Sequence, residues 1–433
     1  MAQVEWEEHM IKYLEGLIVN STQSKRMQIA FDEFTGLIIE VGDSLVAKTQ
    51  VDYYYEDDDL VFPGFIDIHV HAREDMTGED NYKEDFTSAG EAAINGGVTA
   101  FMDMPNNKLP PTEAKGYYAK TSLATKSAVP VFLYAGIGQQ TKPLDIQAPY
   151  KVYMTKSIGD LFINDGAWEE VLSRYAGCMI SFHCEDGSII RKNVDQPTHL
   201  KRRPPEAEIL AIEKVITLIK KYNIDANICH VSTKEGLKKI IEAKKQNLKI
   251  TCEVTPQHLY FCNEKLKSFE KKFLQMNPPI RSREDQEGVL EFFLNGEVDF
   301  LATDHAPHTL MEKLSGISGL TGLDTYGMFV TWLIKHCNMD IRRIVKTTSE
   351  NPGIFVGKFL KNLQKLSSPY KKLGNGIGFI QKGYAASFTV LNTANKTKMT
   401  KSEIKSKTNW SPFENKTFPG HVKNTFVMGK LLK

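Results

Sequence analysis

The chain has 433 residues, 41% hydrophobic and 25% charged, an ordinary globular composition with enough apolar residue for a sizeable core. Its 54 basic and 53 acidic side chains leave a formal net charge of +1. The totals therefore carry no electrostatic footprint for nucleic acid or an acidic membrane, and they point to a small-molecule partner.

The opening MAQVEWEEHM is acidic and lacks the apolar core of a secretory leader. No run anywhere approaches about 18 consecutive apolar residues, so the expectation is a soluble, cytoplasmic protein with no membrane contact. Residues 13–60 hold two predicted strands, GLIVN and TGLIIEVGD, before the acidic tract EDDD at 56–59. From about 60 to 310 two textures alternate. Short apolar, β-branched runs fall at 60–72, 98–105, 131–137, 150–155, 179–185, 227–232, 249–255 and 299–306. Most are separated by charged stretches with apolar positions at helical spacing, such as EAEILAIEKVITLIKKY (206–222) and TKEGLKKIIEAKK (233–245). Parallel strands need such crossovers, and eight βα units close into a barrel. Near the C-terminus GYAASFTVLN (383–392) and HVKNTFVMGKLL (421–432) again read as strands, with a Lys/Thr/Ser/Asn-rich stretch, 392–409, between them as a solvated loop. The expected architecture is α/β: a (β/α)8 TIM-type barrel over 61–364, and a small β-sandwich domain built from both ends, 1–60 and 365–433. Six scattered cysteines without a CxxC pair read as reduced, mostly buried thiols.

The chemistry sits at the ends of the apolar runs. His69 and His71 flank Val70, and strand residues two apart share a face, so both imidazoles can grip one metal ion. His183, His230 and Asp304 end other runs in the same way. Singly, each reads as a satisfied core residue. Four strand ends each delivering a metal-competent group, at the barrel rim where active sites form, read as a metal centre. Imidazole and carboxylate together suit Zn, with Mn, Co or Fe as alternatives. Four histidines and an aspartate exceed the needs of one catalytic zinc and match two ions. Lys151, in YKVYMT, would lie in the same barrel; a desolvated lysine has a lowered pKa, and its neutral amine can form a bridging carbamate with carbon dioxide. On the residues alone, an outward-pointing strand lysine is the plainer reading. His258, His305 and His336 receive no site role, and His305 reads as support for its strand end.

The segments PGFIDIHVHAR (63–73) and ATDHAPHTLMEK (302–313) resemble the two signature motifs of dihydroorotases, within the amidohydrolase superfamily. The similarity extends through DMPNN, YKVYMT, FHCED, RPPEAE, CHVST, MNPPIRSREDQ, NPGIFVG and SPFENKTFPG, nearly the whole chain. It implies His69, His71 and Asp304 on one metal, His183 and His230 on the other, and Lys151 as a carbamylated bridge between two divalent ions, Zn above all. It further implies that Arg73, Asn106 and His308 bind a substrate carboxylate and that Asn277 contacts the pyrimidine ring. The implied reaction is reversible hydrolysis of dihydroorotate to N-carbamoyl-aspartate by a metal-bridging hydroxide, in de novo pyrimidine biosynthesis. Asp304 would take the proton of that hydroxide and return it to the departing nitrogen. Relatives imply a homodimer or a complex with aspartate transcarbamoylase.

Three departures bear on this reading. Glu74-Asp75-Met76 replaces the usual Glu-Pro-Gly and brings an extra carboxylate near an anionic substrate. The stretch 155–160 occupies the place of a mobile active-site loop in some relatives. Ala385-Ala386-Ser387 stands where acidic residues are common, read as a surface change. Competing readings are an allantoinase or dihydropyrimidinase, whose kinds generally lack the arginine of HxHxR, and a non-catalytic scaffold, which would show substituted ligands.

Overall fold

A strand covered on both faces is largely apolar, and residues 98–103, VTAFMD, are buried at every position. The computed structural model, which describes residues 10–365 and 368–433, places a strand inside seven of the eight expected runs, while the strand at the run 227–232 starts earlier, at Asp225, and ends at Ile228. They are β1 (Phe65–Val70), β2 (Val98–Asp103), β3 (Val131–Leu133, continued by Ala135–Gly136) and β4 (Tyr150–Tyr153). They continue as β5 (Met179–His183), β6 (Asp225–Ile228), β7 (Ile250–Val254) and β8 (Phe300–Leu301). All neighbouring pairs are parallel. The two ends of the array meet where Val70 bridges His305 in parallel and the His71 amide donates to the His305 carbonyl at 2.7 Å. Beneath that bridge the Asp67 carboxylate accepts from the Thr303 hydroxyl (2.5 Å) and amide (3.1 Å), tying β1 to the end of β8.

The crossover helices carry ordinary local signals. The helix Pro205–Tyr222 starts with proline in its first turn, has Glu206 and Glu208 beside its positive end, and stops at Asn223 in the left-handed region. The helix Lys234–Lys245 is capped by Thr233 and buries Leu237, Ile240 and Ile241, leaving its lysines outward.

The two chain ends build one eight-stranded sheet beside the barrel. Its junction is the antiparallel pairing of Phe388–Asn392 with Asp59–Pro63, and Leu14, Ile29, Phe31, Val61, Phe388 and Phe426 give it a core of its own. Residues 1–9 of the expected terminal domain lie outside the described residues. The single run expected at 60–72 divides at Gly64: Asp59–Pro63 belongs to the terminal sheet and Phe65–Val70 to the barrel. A side chain at Gly64 would collide with Thr99 of β2. The strand Ser24–Asp32 went unread, because its first half, SKRMQ, is polar and partly exposed.

The stretch 392–409 is not the solvated loop expected. Ile404 and Ser406 are buried, and the amides of Lys405 and Ser406 donate to Asp324 at 2.8 and 3.1 Å. The Ser406 hydroxyl donates to Glu84 at 2.6 Å. Buried carboxylates on the barrel hold the backbone while the lysines face outward. Ala385, Ala386 and Ser387 are likewise buried rather than on the surface. Among the described residues, no helix is long and apolar enough to cross a membrane.

Candidate metal centre and substrate cavity

Side chains at the C-terminal ends of parallel barrel strands converge on one mouth. His69, near the end of β1, and His71, just past it, place their ring centroids 5.3 Å apart. Asp304, three residues beyond β8, closes on both: its Oδ1 lies 3.1 Å from His71 Nε2 and 3.3 Å from His69 Nε2. His183 ends β5 and His230 follows β6, with His183 Nδ1 and His230 Nε2 3.0 Å apart. The rings of His69 and His230 are 5.1 Å apart, so the two groups form one cluster. Lys151, on β4 and fully buried, lies behind it with Nζ 2.6 Å from Cys229 Sγ. Burial lowers the pKa of His69, and those of His71 and His230 further, with the Lys151 cation adding to the effect. Neutral imidazoles are the form that ligates.

The spacing can be tested against a metal. Two donors on one tetrahedral zinc, each about 2.0–2.1 Å from it, stand roughly 3.3 Å apart. The distances of 3.0, 3.1 and 3.3 Å between these candidate donor atoms match that value. His69, His71 and Asp304 form one buried group able to hold an ion.

A second layer sets the ring orientations, and sequence reasoning missed most of it. Glu253 of β7, fully buried, accepts from His69 Nδ1, leaving Nε2 for the mouth, and from the His230 amide at 3.2 Å. Its signal was available: a carboxylate within the otherwise uncharged strand ITCEV. His183 Nε2 donates to Glu185 at 2.9 Å, and Arg203 pairs with the same oxygen. Burial alone would raise the Glu185 carboxyl, but Arg203 and His183 hold it well below the usual range. Asn106 Oδ1 accepts from His71 Nδ1 at 2.6 Å, and its amide N–H groups have no hydrogen-bond partner among the described residues. Burial raises the Asp304 carboxyl, opposed by His69 and Lys151.

All predicted site residues except Lys151 line a single cavity of about 290 Å³. Arg73, Asn106, Asn277 and His308 line the same cavity as the histidine cluster. The Arg73 guanidinium is buried, donates to the Pro307 carbonyl at 3.3 Å and to His308 Nε2 at 3.1 Å, and pairs with no carboxylate among the described residues. Asn277 Oδ1 is buried without a hydrogen-bond partner among them. Thr155, Lys156, Ser157 and Ile158 form one edge of the cavity, together with Tyr153, which the sequence reading passed over. The extra carboxylate of Asp75 does not reach this space. It accepts from the Thr77 amide and hydroxyl at 2.8 and 2.5 Å and from the Leu109 amide at 2.9 Å, forming the turn that Pro-Gly would otherwise make. His305 supports its strand end as expected, bonded to the Gly322 amide at 3.0 Å and to Glu84 at 3.3 Å.

The model of the amidohydrolase family matches residues 60–360. A dihydroorotase from Thermococcus kodakarensis is 33% identical over 405 residues, covering 92% of this chain and 88% of the relative. A dihydroorotase from Bacillus subtilis is 30% identical over 391 residues, covering 86% of each. Among solved structures, an L-hydantoinase (dihydropyrimidinase) from Arthrobacter aurescens superposes with a TM-score of 0.84 at 23% identity, covering 98% of this chain and 96% of that one.

Proposed function

The chain belongs to the amidohydrolase family, hydrolases that act on cyclic amides, and from that premise we propose that its substrate is dihydroorotate, opened reversibly to N-carbamoyl-aspartate in pyrimidine biosynthesis. One observation carries the choice of substrate. A buried guanidinium with no carboxylate partner among the described residues lines the cavity, and burying an unpaired charge is costly unless a ligand completes it. Arg73 presents a planar fork suited to a ring carboxylate, with Asn106 and His308 beside it. Hydantoins and dihydrouracil carry no carboxylate at that position and would leave the charge uncompensated.

Two divalent cations, zinc by ligand type, would be held by His69, His71 and Asp304 and by His183 and His230, with Lys151 as a carbamate between them. Bound there, they would supply water acidified to neutral pH and an electrophile for the ring carbonyl. The protein's own contribution is orientation and proton transfer. Arg73, Asn106 and His308 fix the carboxylate, and Asn277 receives a ring N–H on its free Oδ1. Asp304 accepts the proton of the attacking water and delivers it to the departing ring nitrogen. The cytoplasm is the expected compartment, and association with itself or with aspartate transcarbamoylase is the expected assembly.

The test is a side-by-side assay of dihydroorotate, allantoin and dihydrouracil, with and without added zinc. Losing a bidentate, buried charged contact costs about 3–5 kcal/mol, so Arg73→Ala should lower kcat/KM for dihydroorotate by about 10²- to 10⁴-fold. Comparable turnover of dihydrouracil, or indifference to Arg73→Ala, would refute the assignment.

A further inference from the structure

A second cavity, larger than the first at about 680 Å³, opens on the neighbouring surface between the segments 197–202, 263–280 and 315–316. Its charge is unusual for a chain whose total is +1. Lys201, Arg202, Lys271 and Lys272 line it, and no carboxylate does. None of the four cations forms an ion pair among the described residues, whereas Lys221, Lys238 and Lys239 on the crossover helices each pair with a glutamate. Apolar side chains, Leu274 and Ile280, form its buried floor.

Like charges held around one concavity repel one another, and a bound anion relieves that repulsion. The volume falls within the usual range for a small-molecule site, about 300–1,000 Å³, and a recess of that size suits neither a duplex nor a flat membrane. Four cations exceed the needs of one carboxylate and match a chain of phosphates, while the apolar floor provides a surface for a ring. We propose that this cavity binds a polyphosphate-bearing small molecule, of the nucleoside triphosphate class, and that its occupancy is felt in the catalytic cavity.

Two segments are shared by both cavities. His199 lines the basic one and donates from Nε2 to the Met276 carbonyl at 2.9 Å, next to Asn277 of the catalytic cavity. Ser315 and Gly316 line the basic cavity while Ile317, Ser318 and Gly319, directly following, line the catalytic one. Gln275 and Lys313 join the two segments: the Gln275 side chain donates to the Gly316 carbonyl, and Lys313 Nζ donates to the carbonyls of Gln275 (2.8 Å) and Gly319 (2.7 Å). A ligand that pulls His199 or Gly316 therefore moves the backbone carrying Asn277 and Gly319.

The test is calorimetric titration of the whole protein with inorganic triphosphate, ATP and UTP at low and moderate salt. The variants are Lys271→Glu/Lys272→Glu, both exposed and outside the catalytic cavity, and Arg73→Ala. The reversal should weaken binding at least about tenfold and flatten its salt dependence, with the melting temperature unchanged. Arg73→Ala should bind as well as the parent, which separates this site from anion capture in the catalytic cavity. Saturating ATP or UTP, with divalent metal held in excess, should shift KM in the parent and not in the double variant. Absence of binding at millimolar triphosphate overturns the proposal. So does binding that ignores the charge reversal or vanishes in Arg73→Ala, and an unchanged KM overturns the coupling. Because the titration needs no turnover, its failure is distinguishable from failure of the substrate assignment.

Discussion

Glu253→Gln should weaken metal binding while leaving the fold intact, and the reason can be worked from three contacts. Oε1 of Glu253 accepts from His69 Nδ1 and from the His230 amide at 3.2 Å, and Oε2 accepts from Asn227 Nδ2 at 3.3 Å. All three partners are donors, so a carboxylate, which only accepts, matches the site as no neutral side chain can. Glutamine keeps the shape but loses the charge, and its amide end meets a donor. The His69 bond is charge-assisted and buried, a class worth about 1.5–3 kcal/mol. Losing that stabilisation of the Nδ1–H tautomer makes Nε2 a poorer ligand, which corresponds to about a 10- to 100-fold fall in metal affinity. Competition of the purified variant against a chelator of known zinc affinity reads this directly, with excess zinc restoring turnover. Metal release at the same chelator concentration as the parent, with parental kcat/KM, would refute the positioning role of Glu253.

Three further perturbations follow from the same geometry. Lys151→Ala should reduce bound metal from two ions to at most one and lower turnover by more than about a hundredfold, beyond the usual cost of a supporting residue, as metal analysis beside the assay will show; two ions retained would remove Lys151 from the site. Asp75→Ala should cost about 1–3 kcal/mol by stripping the turn of its acceptor, measured by denaturant unfolding, with KM for dihydroorotate unchanged because the carboxylate faces away from the cavity. Trp410→Phe should cost about 2–4 kcal/mol of stability and also raise KM, since Trp410 is fully buried and its Nε1 donates at 2.7 Å to the carbonyl of His308, fixing that residue beside Arg73.

The sequence made legible what depends on period and position. Eight mainly apolar runs hold or overlap eight strands because parallel strands covered on both faces are built largely of apolar residues. The candidate ligand histidines were readable because they stand at or near the ends of such runs. What stayed hidden depends on contacts between distant segments. Glu185 and Arg203 are 18 residues apart and meet only because the loop after β5 folds under the helix that begins at Pro205. Stretch 392–409 looked solvated because its side chains are polar, whereas its backbone amides are what the buried Asp324 and Glu84 hold. Asp75 looked like a threat to an anionic substrate, and only the turn geometry shows its carboxylate already satisfied.

Backbone strain is a further property no pattern reveals, and it concentrates at this site. Nine described residues other than glycine have positive φ, and five are asparagines, which tolerate that region. Of the other four, Arg73 (65°), His230 (36°) and Asp304 (48°) all belong to the proposed machinery. Each follows a strand that has just ended, and a left-handed residue there turns the chain sharply enough to aim a side chain inward rather than onward. Such conformations cost about 1–3 kcal/mol each and persist only where surroundings over-determine them. Those surroundings are present: Asn107 donates to the Arg73 carbonyl at 2.9 Å, Asp103 accepts from the Ala72 amide at 2.8 Å while paired with Lys120, and Glu253 takes the His230 amide. Glu253 therefore orients a ring and holds a strained backbone at once. That dual load is why its replacement should be felt in metal binding on both sides of the cluster, at His69 and at His230 together, rather than at one ligand alone.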